Sequence, residues 1–169
     1  MNAGASVRAF VGVGANLGDA RAQVLAGIDA LRTLPGTQLV ACSGLYASAP
    51  LDAPGPDYVN AVVELDTSLQ ADALLHALHA IEAQHGRVRS MPNAPRTLDL
   101  DLLLYGAQCS GDPALRLPHP RLHQRAFVLQ PLLEIAPQLR VAGLGELSSW
   151  LPSVGGQRVR RLASEEPLR

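Results

Sequence analysis

From Val7 to Gly14 the chain alternates, with Val7, Ala9, Val11 and Val13 on one side and Arg8, Phe10, Gly12 and Gly14 on the other. A period of two predicts a strand with one strongly apolar face. Asn16-Leu17-Gly18-Asp19 predicts a turn, and Asp19 is placed to cap a helix. Val24, Leu25, Ile28, Leu31 and Leu34 then recur at helical spacing to about Thr33, where Pro35-Gly36 ends the helix. Gln38 to Tyr46 reads as a second strand, and Ala49 to Pro56, with three prolines and a glycine, as a loop. Tyr58 to Leu65 alternates again: Val59, Ala61, Val63 and Leu65 share one face, Tyr58, Asn60, Val62 and Glu64 the other. Thr67 with Gln70 reads as a capping box for a helix that buries Leu74, Leu75, Leu78 and Ile81 and ends at Gly86. A polar loop, Arg87 to Pro95, leads to a strand from Thr97 to Tyr105. Leu115 to Leu117 reads as a short strand, and a last helix is expected from about Leu122 to Ile135, broken at Pro131. Trp150 lies in a short amphipathic stretch.

The order strand, helix, strand, strand, helix, strand predicts a ferredoxin-like α+β fold, an antiparallel sheet with helices packed on it around a single-layer core. Residues 1–169 are expected to form one domain, with a weakly ordered tail from Ser153 to Arg169.

Composition narrows the function classes. Net charge is −1, so no global positive field attracts nucleic acid. All 14 basic residues are arginines, which excludes a Schiff-base or P-loop lysine. Cys42 and Cys109 match no metal spacing and read as cytosolic thiols. Met1 to Phe10 lacks an apolar signal-peptide core, and no run approaches a membrane span. A cytoplasmic monomer acting on small molecules, with no nucleic-acid or membrane partner, is expected.

The chemistry concentrates in Pro95-Arg96-Thr97-Leu98-Asp99-Leu100-Asp101. On a strand Asp99 and Asp101 share a face roughly 6.6 Å apart, a span suited to one or two hard cations over a phosphate chain. A solvated strand face is the bland alternative. Six arginines stand against three aspartates between residues 87 and 125, namely Arg87, Arg89, Arg96, Arg116, Arg121 and Arg125. Guanidinium forks match phosphate oxygens, so the combination points to a triphosphate bound with magnesium. His119, held between Pro118 and Pro120, is placed to donate to a phosphate or act as an acid. His76, His79, His85 and His123 read as surface or structural residues. Tyr58, Asn60 and Phe127 suit a flat heterocycle, although Phe127 alone also reads as core. The glycine run from Gly12 to Gly18 reads as a structural turn rather than a nucleotide loop.

On these segments the chain resembles the 6-hydroxymethyl-7,8-dihydropterin pyrophosphokinase family of folate biosynthesis. The resemblance rests on Val11 to Asp19, Tyr46 to Leu51, Asp57 to Asn60, Ile81 to Arg89, Pro95 to Gly106 and Pro118 to Pro137. It implies transfer of the β,γ-pyrophosphoryl group of ATP to the pterin hydroxymethyl oxygen, with release of AMP. It implies two magnesium ions on Asp99 and Asp101. It assigns Arg87, Arg89, Arg96, His119 and Arg125 to holding or activating ATP, and His79 and Glu82 to the nucleotide's surroundings. It assigns Tyr58 and Phe127 to the walls of a pterin slot, and Ser48, Leu51, Asn60 and Asp99 to its other contacts.

The sequence departs from the family pattern at Pro92-Asn93-Ala94-Pro95, where a basic residue and an aromatic residue usually precede Gly-Pro. Those changes bear on a lid, for which Ala47 to Pro56 and Gly86 to Pro95 are the candidates. Three competing readings remain at this point: a non-catalytic nucleotide- or pterin-binding module, an RNA-binding domain of similar topology, and a kinase that releases ADP.

Overall fold

A computed structural model describes residues 5–50, 55–85 and 98–163. Strand β1 (Val7–Ala15) is followed by helix α1 (Ala20–Arg32), then β2 (Thr37–Cys42), β3 (Tyr46–Ser48), β4 (Tyr58–Thr67), α2 (Ala71–Gln84) and β5 (Asp99–Tyr105). Two short hairpin strands, β6 (Ser110–Asp112) and β7 (Leu115–Leu117), precede α3 (Ala126–Ile135). A second small hairpin, β8 (Arg140–Val141) and β9 (Gly145–Glu146), a 3₁₀ helix (Leu147–Val154) and β10 (Val159–Arg161) complete the chain.

The main sheet is antiparallel in the order β10-β3-β4-β1-β5, with β2 also paired to β4. This is the ferredoxin-like arrangement expected from the element order. Its core is double rather than the single layer expected. Val11 and Val13 of β1, with Ala61, Val63 and Leu65 of β4, pack with α1 and α2 in one cluster. Phe10, Val62 and Leu103, on the other face, pack with α3 and the 3₁₀ helix. The late helices carry this second layer, because α3 buries Val128, Leu129 and Leu132.

Local causes explain the boundaries. Asp19 Oδ1 accepts from Ala22 N at 3.1 Å and caps α1 as predicted. The expected strand Gln38 to Tyr46 divides in two at Ser43. Ser43 Oγ accepts from Val62 N at 3.0 Å, so a hydroxyl replaces a ladder carbonyl and the chain swings away. The capping box at Thr67 does not form. Thr67 belongs to β4 and its Oγ1 accepts from Leu69 N, while Gln70 is the N-cap without a side-chain bond. Helix α3 starts at Ala126 rather than Leu122 and runs unbroken through Pro131. A proline inside a helix costs about 3 kcal/mol, and burying Leu129 and Leu132 stabilises by about 1.5–3 kcal/mol each. The described part of the expected weakly ordered tail contributes β10, paired to β3 from Val159↔Ser48 to Arg161↔Tyr46.

Candidate active site

Strand β5 lies at one edge of the sheet, and its alternation places Leu98, Leu100 and Leu102 in the first core cluster. Asp99 and Asp101 therefore face the opposite side. Register sets them against two glycines of β1: Asp99 opposite Gly14, and Asp101 opposite Gly12. A register shift between Phe10 and Val11 follows, which lets Leu103 and Leu104 both enter the second cluster. The bulge ends the acidic stretch and begins the apolar one.

Across β1 the row continues, since Gly14 pairs with Asn60 of β4 and Asn60 with Tyr46 of β3. Asn60 and Ser48 are both buried, and Asn60 Nδ2 donates to Ser48 Oγ at 2.7 Å. Its Oδ1 lies 3.1 Å from where a Cβ on Gly14 would stand. With its amide protons committed inward, Asn60 keeps Oδ1 as an acceptor over Gly14; no donor among the described residues is bonded to it. A trough results, floored by glycine, with a carboxylate at one end and a carboxamide at the other. Helix α3 packs on this face of β4 and carries Phe127 in its first turn, with Arg125 Cζ 5.6 Å from the centroid of that ring. Tyr58 lies on the face that bears Asn60, paired with Ser48. Gly12 and Gly14 are strand residues, as the alternation from Val7 to Gly14 predicts and against the turn read into the glycine run, and they make the floor.

A second space opens beyond the free edge of β5. It is about 330 Å³ and is lined by His79 and Glu82 of α2, Asp99 and Asp101, Arg116 of β7, and His119. Glu82 is 1% exposed and its Oε2 accepts from Leu100 N at 2.7 Å. That bond satisfies an edge amide between the two aspartates and holds their strand in place. The expected surroundings of a nucleotide thus include one buried carboxylate that braces backbone.

His119 is fixed by its own amide, which donates to Leu103 O at 2.9 Å, and its Nδ1 accepts from Arg121 N at 3.1 Å. Burial lowers its pKa to about 4; Arg125 and Arg121 push the same way and Asp99 opposes them. At neutral pH the ring is neutral, and with Nδ1 accepting, Nε2 carries the proton. His119 is thus a hydrogen-bond donor and a poor proton reservoir. An unfolded histidine titrates near 6.5 and this one near 4, so the unfolded state binds more protons in that window. Stability should therefore fall as pH drops from 6.5 towards 4. Denaturant midpoints across that range should show a shallower fall for His119→Gln; superimposable profiles would contradict the assignment.

Of the other expected site residues, Leu51, Arg87, Arg89 and Arg96 lie outside the described residues, as do residues 51–54 of one candidate lid loop and the whole of the other. His85 closes the end of α2 through Nδ1 and Ile81 O, and His123 meets the Trp150 ring edge-on at 4.6 Å. Among the described residues no group of three His, Cys, Asp or Glu side chains is placed to hold a metal. Two carboxylates beside an open floor still fit magnesium, which takes few carboxylates together with water and phosphate oxygens. No helix among the described residues is long and apolar enough to cross a membrane.

Residues 10–137 match the family model described as 7,8-dihydro-6-hydroxymethylpterin-pyrophosphokinase. The chain is 46% identical over 156 residues to the 2-amino-4-hydroxy-6-hydroxymethyldihydropteridine pyrophosphokinase of Pseudomonas aeruginosa, covering 92% of this chain and 96% of that one. It is 44% identical over 138 residues to the protein of the same name from Methylorubrum extorquens, covering 80% and 87%. Among solved structures, it superposes on wild-type HPPK-DHPS of Plasmodium falciparum with a TM-score of 0.69 at 12% identity. The superposition covers 88% of this chain and 44% of that longer chain, and speaks to the fold.

Proposed function

The chain belongs to the 7,8-dihydro-6-hydroxymethylpterin-pyrophosphokinase family, and from that premise we infer that it carries out the family's transfer. The β,γ-pyrophosphoryl group of ATP passes to the hydroxymethyl oxygen of 6-hydroxymethyl-7,8-dihydropterin, and AMP leaves, in folate biosynthesis. The observation that carries this reading is the meeting of two spaces at one acidic pair. The trough over Gly14 and the space beyond β5 both include Asp99. A flat alcohol substrate in the first and a triphosphate in the second would bring oxygen and β-phosphorus together there.

Each residue then has a physical task. The pterin lies over Gly14, its amino edge donating to Asn60 Oδ1 and its rings between Tyr58 and Phe127. Ser48 keeps Asn60 in register, and Leu51 supplies a further contact. ATP occupies the space beside His79 and Glu82, its phosphates met by Arg87, Arg89, Arg96 and Arg125 and by the Nε2–H of His119. Asp99 and Asp101 would hold magnesium, in two ions, and bound there it offsets the triphosphate charge. Positioning and charge compensation are the bulk of phosphoryl-transfer catalysis. Asp99, nearest the hydroxyl, orients it in line. The working form in this proposal is a cytoplasmic monomer.

Incubating the chain with ATP, magnesium and the pterin, then separating nucleotides, tests the reading. Pterin-dependent AMP is the expected product. ADP would mean single phosphoryl transfer, and binding without turnover would favour a non-catalytic module.

A further inference from the structure

Gln157 lies beyond residues 10–137 of the family match, in the turn between the 3₁₀ helix and β10. Its carboxamide grips two backbone groups that flank Arg125. Oε1 accepts from Ala126 N at 2.9 Å, and Nε2 donates to Gln124 O at 2.9 Å. Ala126 is the first residue of α3, where backbone N–H groups have no partner within the helix. Arg125, the N-cap residue, makes no capping bond with its own side chain. A glutamine from a remote segment thus supplies what a serine or aspartate at the cap would.

The grip falls on either side of one residue. It holds the Arg125 peptide in an extended conformation, φ −124° and ψ 115°. That conformation turns the guanidinium over the Phe127 ring. Gln157 is itself well anchored. Its N–H donates to Val154 O at 3.0 Å, Val154 is buried in the second cluster, and the following strand β10 is paired to β3. Past that strand's start, Arg161 meets Glu134 near the far end of α3 at 3.3 Å.

We propose that Gln157 is a positioning residue for the transfer: acting through the backbone around Arg125, it aims the guanidinium at the nucleotide and sets the Phe127 wall. This rests on the pyrophosphoryl-transfer reading of the site. The bonds of Gln157 are to backbone on either side of Arg125, so its effect on the nucleotide should run through Arg125.

A double-mutant cycle of Gln157→Ala with Arg125→Ala tests this, read by steady-state kinetics and by calorimetric titration with ATP and magnesium. Gln157→Ala should raise KM for ATP about tenfold, for two lost hydrogen bonds, with kcat within about threefold. In the Arg125→Ala background the same change should add less than about twofold. Gln157→Glu, which keeps the acceptor and loses the donor, should not restore the wild-type KM. An equal factor in both backgrounds, or an unchanged KM in Gln157→Ala, would overturn the proposal. Wild-type chain that forms no AMP overturns the functional reading instead; the calorimetric cycle on the same four proteins then still decides whether Gln157 acts through Arg125.

Discussion

Replacing Asp101 by alanine should lower pyrophosphoryl transfer by about 10³-fold and leave the fold intact by circular dichroism. The carboxylate is half-exposed on an edge strand and packs in neither core cluster, so its removal opens no cavity in the core. Asp101→Asn separates charge from shape: it preserves volume and should fail as badly as alanine. Activity within tenfold of wild type in either variant would remove the acidic pair from the chemistry. Asp99→Ala should behave alike, with an added loss of pterin affinity because Asp99 also borders the trough.

The second large effect is expected from adding atoms. Gly14→Val should raise KM for the pterin about 100-fold or more, the order lost when a shaped slot is filled, and leave KM for ATP within about threefold. A Cβ there stands 3.1 Å from Asn60 Oδ1, and the valine methyls extend into the trough. The backbone does not require glycine, since residue 14 is an ordinary strand residue paired on both sides. Valine is a good strand former, so the variant should fold. Substrate titrations separate the two constants. An unchanged pterin KM would mean that the heterocycle binds elsewhere; equal losses for both substrates would mean that the strand itself was disturbed.

Much of this site was legible in the residues because it rests on strand alternation. Asp-Leu-Asp before an apolar run needs only a period of two to put both acids on one side, and Tyr58 and Asn60 follow from the same rule. Asp19 as a cap is equally local. The parts that escaped depend on partners distant in sequence. Alternation puts Gly12 and Gly14 in a strand, but their task as a floor is visible only once register sets Asp101 and Asp99 across from them. Ser43 breaks its strand because of Val62, nineteen residues away. Gln157 sits in a stretch with no periodic signal, and its task is visible only once Gln124 and Ala126 are beside it. The second core layer was missed for a similar reason: Phe10, Val62 and Leu103 look like isolated apolar residues on polar faces until α3 covers them.

The central claim is that one acidic pair joins a triphosphate to a pterin alcohol so that two phosphoryl groups move together. ATP labelled at the β-phosphorus tests it most directly, because label at the γ-phosphorus would move in any kinase. With the chain, magnesium and 6-hydroxymethyl-7,8-dihydropterin, the β-label should appear in the pterin product, with unlabelled AMP in equal amount. β-Label retained in ADP while the pterin gains a single phosphate would contradict the account.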